Sequence, residues 1–527
     1  SVIKCFNINI FHVSESSRTA KSIKNAKVAL IFYFINLVLQ FFSRKVFLDY
    51  LGAEVLGLNT TAQNLIGFLN LAELGIGGAI AFTLYKPIYE KNTQVINEIV
   101  SVQGWLYRRV AYVVIVGACI LMCFFPLIFE KAEVPLWYAY GSFSVLLVST
   151  LLSYFVNYRQ IVLTADQKEY KITLNIQGFK VIKVILQIFV ISYLSNGYVH
   201  WMILELLMSV TTAIALDKLL KREYPWLKTV VNDGDRLRRI YPEIISKTKQ
   251  VFFHQIAGFV LLQTSPLIIY AYSSLTLVAI YGNYMLIVTG LSLLMDALLR
   301  SVNAGVGSLV AEGDKRCIKR VFWELTSLRI WLASIACFGM YKLAHSFISL
   351  WVGEEFVLNQ SAFFILIGIT FINLARTNET FLFAYGLFQD VWAPMMEAAL
   401  NLGLSVVLGY FWGLSGILSG VIISLLLIVC GWKPIFLYRY GFKENILEYV
   451  VRHLKYFLLI AISFICISVL SDSYLLIPTY SYGQWGLYAL KLLACYSIFS
   501  FFLFIGGDNA FRSLTVRFKS LLMNKCS

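Results

Sequence analysis

Charged residues are scarce in this sequence. Aspartate, glutamate, lysine and arginine make up 14% of its 527 residues, whereas ordinary soluble domains carry about a quarter. Hydrophobic residues account for 59%, and the mean hydropathy is +0.73. Apolar runs of about 20 residues, long enough to cross a bilayer as a helix, recur from end to end. We therefore expect an all-α, polytopic membrane protein and not a barrel, whose strands would alternate over about ten residues.

Several chemical motifs are also missing. The five histidines form no HExxH motif and no GxxxxGK[ST] loop is present, so we expect no direct ATP hydrolysis. The nine cysteines include no CxxC pair and no His/Cys cluster. We expect no metal, no cofactor and no enzymatic activity. The first 22 residues are polar and mixed, which predicts a cytoplasmic tail and not a secretory signal.

Apolar windows predict about fourteen transmembrane helices joined by short connections. The longest connection, near 218–250, has about 33 residues, so we expect no extramembrane domain. The predicted spans are 24–47, 60–84, 108–129, 137–158, 172–194, 199–217, 251–271, 277–303, 326–349, 361–385, 391–412, 414–432, 456–472 and 485–506.

A faint internal repeat organises these spans. Segments 55–92 and 279–316 can be laid over each other at an offset of 224 residues. Six spans precede residue 218 and six more fit between 251 and 432, which predicts two pseudo-symmetric six-helix lobes. The predicted domains are a cytoplasmic N-terminal tail (1–22), an N-lobe (23–218), a cytoplasmic linker (219–250), a C-lobe (251–432), and a final helix pair with an amphipathic cytoplasmic tail (433–527).

Lysine and arginine are distributed very unevenly between the connections. With a cytoplasmic N-terminus, 35 of the 44 basic residues fall in cytoplasmic segments, and only Arg44, Lys45 and Lys131 fall on the opposite side. This asymmetry predicts that both termini are cytoplasmic. The net charge of +15 then reflects basic loops facing anionic lipid head groups, and we expect no nucleic-acid partner.

Polar residues recur at helical spacing inside five predicted spans, and lipid would not tolerate such faces. We expect them to converge on a large hydrated central cavity; a bundle with a dry polar core is the alternative. Cations slightly outnumber acids, which suits an anionic passenger. The candidate cavity residues are Arg44, Arg300, Lys180, Lys183, Arg376, Gln40, Asn70 and Gln177.

Acidic residues inside the spans are candidates for charge pairing or ion coupling. These are Glu73 and Asp296, with Glu379 as a further acid. Glu73 lies near the expected midplane of the membrane. Two alternatives remain for it there: a buried ion pair with Lys183, or a protonated carboxyl group. The glycines that follow Glu73, in the stretch LAELGIGGAI at 71–80, are expected to serve packing and bending. Bendable helices around a cavity suit alternating access.

One long stretch resembles a known family. Residues 42–92, FSRKVFLDYLGAEVLGLNTTAQNLIGFLNLAELGIGGAIAFTLYKPIYEKN, resemble the opening two helices of Wzx-type bacterial polysaccharide flippases. The segments LG-x-E-x-x-GLN and LAELGIG-x-AI carry most of the resemblance. That family belongs to the multidrug/oligosaccharidyl-lipid/polysaccharide (MOP) exporter superfamily, together with the multidrug and toxin extrusion (MATE) exporters and the lipid flippase MurJ. Its plan of two six-helix lobes plus a final pair covers the whole chain.

The resemblance implies translocation of undecaprenyl-diphosphate-linked oligosaccharide from the cytoplasmic to the outer leaflet, without nucleotide, in the bacterial cytoplasmic membrane. By position, Arg44 and Arg300 are the best matches to cavity arginines that meet the diphosphate. The transport cycle could be driven by H⁺, by Na⁺ or by the membrane potential, and the sequence does not choose among these three. Polysaccharide assembly proteins are candidate partners. A drug or cation exporter of the same superfamily is the alternative function, followed by a membrane polysaccharide polymerase.

Overall fold

The computed structural model describes residues 18–73, 75–387, 389–390, 392–474 and 481–523. Throughout these ranges the regular secondary structure is helical, which confirms the all-α prediction. The described residues divide into two compact units, the first ending at Gly282 and the second beginning at Asn283.

The helices of the chain up to residue 282 are separated by short turns. They are α1 (Arg18–Leu69), α2 (Ile76–Tyr89), α3 (Thr93–Cys123), α4 (Phe125–Ile128), α5 (Leu136–Phe155), α6 (Ile161–Ala165), α7 (Glu169–Tyr193), α8 (Gly197–Glu223), α9 (Gly234–Ile240), α10 (Pro242–Tyr272) and the first two turns of α11 (Leu275–Glu312). Short 3₁₀ turns lie at Asn70–Glu73, Asn157–Gln160 and Val231–Asp233.

The remaining helices complete the chain. They are α12 (Lys315–Trp351), α13 (Gln360–Leu374), α14 (Asn378–Ala384), α15 (Trp392–Leu425), α16 (Lys433–Phe436), α17 (Leu447–Tyr474), α18 (Tyr482–Gly507) and α19 (Asn509–Met523). Two π-helical segments, Leu426–Trp432 and Leu437–Phe442, flank α16. A 3₁₀ turn lies at Glu354–Phe356.

Within the described residues, eleven helical stretches are long and apolar enough to cross a membrane. Two of them contain a non-helical kink, at Gly52 in α1 and at Trp412-Gly413 in α15. Gly413 has a φ of 55°, a left-handed conformation that suits a residue without Cβ. Both kinks fall where the sequence predicts a boundary between two spans, so each long stretch holds two predicted spans.

The core of the first unit lies between α2, α3, α8 and the 3₁₀ turn of Val231–Asp233. Ile80, Leu84, Val100 and Leu216 are completely buried there. Helix α1 packs along α7, and α10 packs against α1 and α2. Because of these contacts α10 belongs to the first compact unit, whereas the sequence assigns most of it to a C-lobe that follows a linker at 219–250. The lobe boundaries stay a prediction.

The core of the second unit is aromatic. Phe322, Phe381 and Leu437 are fully buried, and Phe442 packs on Phe322 with ring centroids 5.1 Å apart. The terminal helix α19 packs on α12 and α18, with Phe511 buried against Phe504. The predicted amphipathic tail is therefore helical as far as Met523, and Phe511 near its start is buried in this core.

Candidate functional site

The connection between α1 and α2 holds a predicted cavity residue, Asn70, and a predicted coupling or charge-pair residue, Glu73. Glu73 accepts a hydrogen bond from the hydroxyl of Tyr107 at 3.0 Å, and the Oδ1 atom of Asn70 accepts one from Tyr154 at 2.9 Å. The two tyrosine rings meet edge to face, 5.5 Å apart. Asn70 and Glu73 lie together on a 3₁₀ turn that interrupts the span. The hydrogen-bond partner of Glu73 in this structure is thus the neutral hydroxyl group of Tyr107.

Gly75 explains why the helix restarts directly after this turn. Its φ is 88°, and a Cβ atom there would lie 2.5 Å from the carbonyl oxygen of Thr248 on α10. Only glycine combines this conformation with this close approach. Gly77 and Gly78 are less crowded, since their nearest neighbours would lie 3.6 Å from an added Cβ.

Lys183 on α7 pairs with a carboxylate that sequence reasoning missed. Its ammonium lies 2.7 Å from Oε1 of Glu205 on α8, and Nε2 of Gln187 donates to Oε2 of the same carboxylate at 2.9 Å. The alternative in which Lys183 pairs with Glu73 is therefore wrong. Lys183 forms its ion pair with Glu205, and Glu73 accepts a hydrogen bond from Tyr107. The available signal was Glu205 itself, an acid in the middle of the predicted span 199–217, whose other acid, Asp217, is its last residue.

A polar pocket of about 200 Å³ lies beside this pair. Lys180 and Lys183 both line it, together with the hydroxyl residues Ser149, Ser153, Ser209 and Thr212. Lys180 makes no hydrogen bond or ion pair with any residue that the structure describes. Two lysines thus face one nearby carboxylate, that of Glu205. The pocket carries excess positive charge inside the membrane-spanning part of the first unit.

Two other polar residues of α1, Asn36 and Arg44, have partners on neighbouring helices. Arg44 donates from Nη2 to the carbonyl oxygen of Ala279 at 2.9 Å, and its guanidinium occupies the space left by Gly282. Asn36 donates to Oε1 of Gln177 on α7 at 3.0 Å. Gln40 lies between these two contacts along α1 and is half-buried. Asn36 and Arg44 thus hold α1 against neighbouring helices in this structure.

Arg376 belongs to a charged cluster at a break between α13 and α14. Its Nη1 atom lies 3.3 Å from Oε1 of Glu379, and the ammonium of Lys433 lies 2.6 Å from the same oxygen. Arg329 donates to the main-chain carbonyl of Arg376, which the break leaves without a helical partner. The sequence places Arg329 and Lys433 in or beside cytoplasmic connections, but the helices of the second unit bring both to this cluster.

Two predicted residues lie on α11. The side chain of Asp296 is exposed. The side chain of Arg300 lies outside the described residues, so its contact with the diphosphate stays a prediction. A further acid, Glu397 on α15, is almost completely buried and was not singled out from the sequence. As with Glu205, the sequence feature that could have identified Glu397 is an acidic residue inside an apolar span.

These features define a polytopic helical membrane protein whose spans carry buried charges and two helix breaks. The fold is similar to that of solved transporters of the MOP superfamily. An inward-closed structure of the lipid II flippase MurJ matches with a TM-score of 0.58 and 14% identity, covering 90% of this chain and 98% of that one. An inward-facing multidrug resistance MATE transporter of the MOP superfamily matches with a TM-score of 0.60 and 12% identity, covering 78% and 97%.

A third similar structure is that of the MATE multidrug transporter DinF-BH. It has a TM-score of 0.51 and 17% identity, and the match covers 81% of this chain and 96% of that one. No protein-family model and no curated protein matches the sequence. Similarity at these identities establishes the fold alone. The similar proteins are transporters and a flippase, and the function of this chain has to be argued from its own site.

Proposed function

We propose that this chain is a flippase that moves undecaprenyl-diphosphate-linked oligosaccharide from the cytoplasmic to the outer leaflet of a bacterial cytoplasmic membrane. It works by alternating access, without nucleotide hydrolysis, and keeps both termini in the cytoplasm. The observation that carries this proposal is the pocket in which Lys180 and Lys183 face one carboxylate, Glu205.

An uncompensated cation inside a membrane protein is costly, so it usually faces water or a ligand of opposite charge. Lys183 is neutralised by Glu205 at 2.7 Å, whereas Lys180 is left for another anion. The hydroxyl groups that line the same pocket provide hydrogen-bonding partners for phosphate or sugar oxygens. This chemistry favours an anionic, hydroxylated passenger over an organic cation.

We further propose that the head group contacts a set of cations and amides during the transport cycle. Arg44 and Arg300 are proposed for the diphosphate, because a planar guanidinium can give two parallel hydrogen bonds to phosphate oxygens. The remaining proposed contacts are Lys180, Lys183, Arg376, Gln40, Asn70 and Gln177. Glu73 and Asp296 are proposed as coupling or charge-pair residues, with H⁺ or Na⁺ as the coupled ion.

Complementation of a deletion strain tests the function. Loss of a flippase traps complete lipid-linked repeat units on the cytoplasmic leaflet, and the parent chain should release them. Lys180→Ala should insert and fold normally yet lose most export, since one charge-assisted contact is worth about 1.5–3 kcal/mol. Ile185→Ala on the lipid-exposed side of α7 is the matched control. Full export by Lys180→Ala at equal expression would remove the main support for the proposal.

The second candidate is a drug or cation exporter, favoured by the MATE transporters among the similar structures. Membrane-buried acids such as Glu205 and Glu397 would then meet a cationic passenger. Efflux of a cationic dye from cells separates the two. Dye efflux that depends on Glu205, without any effect of the chain on lipid-linked oligosaccharide, would favour the exporter.

A further inference from the structure

The second unit contains a large groove, and Arg376 is the one residue of its lining that is also among the proposed passenger contacts. Its volume is about 660 Å³, within the range of roughly 300–1,000 Å³ typical of small-ligand sites. The walls come from α13, the end of α15 with its π-helical continuation Leu426–Trp432, and α17. π-Helical turns occur frequently at functional sites. The groove thus has the volume of a small-ligand site, and one of its walls includes a π-helical segment.

The mouth of this groove is apolar and exposed. Leu426, Leu454 and Phe457 line it and are 49%, 64% and 56% exposed. In a chain that spans a membrane, such side chains face the acyl chains of the bilayer. The groove therefore opens toward lipid, and an acyl chain is the chemistry that matches its mouth.

The inner end of the groove is polar and incompletely hydrogen-bonded. Nε of Arg376 and Oδ1 of Asn378 are buried and have no hydrogen-bond partner among the described residues. The amide nitrogen of Asn378 is already used, since it donates to the hydroxyl of Tyr449 at 3.0 Å. A buried polar atom without a partner is costly, so a ligand that satisfies both atoms would be stabilised there.

Several charged side chains meet at this end. Arg329, Arg376 and Lys433 surround Glu379, and the buried Glu397 lies within electrostatic range of Arg376 and Lys433. Arg329 also lies within electrostatic range of Asp296, so three cations face three carboxylates, and the donor still without a partner is Nε of Arg376. An anionic oxygen is thus the natural partner for Nε of Arg376. The free acceptor on Asn378 needs a donor, which a hydroxyl group supplies.

We propose that this groove binds an anionic phospholipid with a hydroxylated head group, of the phosphatidylglycerol type. Its phosphate meets Arg376, its glycerol hydroxyl donates to Asn378, and one acyl chain lies along the apolar walls between α15 and α17. The lipid is a resident of the bilayer and not the transported passenger. The inference rests on the groove alone, so it applies equally to a flippase and to an exporter.

Native mass spectrometry of the purified full chain in detergent tests this, with phosphatidylglycerol, phosphatidylcholine and undecaprenyl phosphate added separately. Phosphatidylglycerol should bind about tenfold or more tightly than phosphatidylcholine, because it alone offers both a net anion and head-group hydroxyls. Asn378→Leu should weaken phosphatidylglycerol binding about fivefold, the value of one hydrogen bond.

Two cysteine substitutions provide a matched pair. Cys430 lines the groove, whereas Cys466 on α17 is exposed and does not line it. Cys430→Phe should fill the groove and reduce phosphatidylglycerol binding about tenfold or more, while Cys466→Phe should leave it within about twofold. The proposal would be overturned if Cys430→Phe and Cys466→Phe bound phosphatidylglycerol equally well. It would also be overturned if the parent chain bound phosphatidylglycerol and phosphatidylcholine equally well. Binding of undecaprenyl phosphate without phosphatidylglycerol would overturn it as well, since that result would assign the groove to the transported carrier.

Discussion

At the scale of single residues, the lysines of α7 have surroundings that differ sharply from those of their neighbours. Lys180 and Lys183 line the polar pocket, whereas Ile185 and Phe189 are 52% and 54% exposed. In a variant without native cysteines, cysteines at 180 and 183 should react with a hydrophilic thiol reagent. Cysteines at 185 and 189 should stay unlabelled, because lipid excludes the reagent. Inertness at all four positions would favour a dry polar core.

The ion pair between Lys183 and Glu205 leads to a prediction about the stability of the protein. The side chain of Lys183 is 21% exposed and that of Glu205 is 10% exposed, so removing the lysine leaves a largely buried carboxylate without its cation. Lys183→Met should lower the free energy of unfolding by about 3 kcal/mol, seen as a reduced midpoint of thermal unfolding in detergent. The double variant Lys183→Met/Glu205→Leu should recover most of that loss. If the single variant is as stable as the parent, the pair contributes nothing to the fold.

At the scale of elements, the break between α1 and α2 controls how closely α10 can approach. The backbone at Gly75 is left-handed and lies against Thr248. Gly75→Ala should reduce the yield of folded protein in fluorescence-detected size-exclusion chromatography, because the new Cβ meets a carbonyl oxygen at 2.5 Å. Gly77→Ala is the control, since its Cβ has 3.6 Å of room. Equal yields from both variants would show that α10 can move away from the break.

At the scale of the whole molecule, the distribution of basic residues makes a topological prediction. With both termini cytoplasmic, segments 130–136 and 351–360 face outside and the connection that contains Asp233 faces inside. A cysteine at Glu133 should react with an impermeant thiol reagent added to intact cells, and one at Asp233 should react only after permeabilisation. Strong outside labelling at Asp233 would reverse the orientation of the chain.

The sequence by itself determined the helices, most of their limits and the positions of the polar stripes. Apolar length and the spacing of side chains along a helix are local properties, and the bilayer sets the same length for every span. For the same reason the kinks at Gly52 and Gly413 coincide with predicted boundaries between spans. The resemblance of residues 42–92 to polysaccharide flippases added the fold type, and the similar structures agree with it.

Only the tertiary structure decided which polar groups meet. Glu73 bonds Tyr107, Lys183 pairs with Glu205, and Lys433 reaches Glu379. Each contact joins helices that are separate in sequence, so its choice depends on how those helices pack and rotate against each other. A stripe on one helix specifies that some partner must exist, because a buried charge alone is costly. The identity of the partner follows from packing between segments, which no local pattern contains.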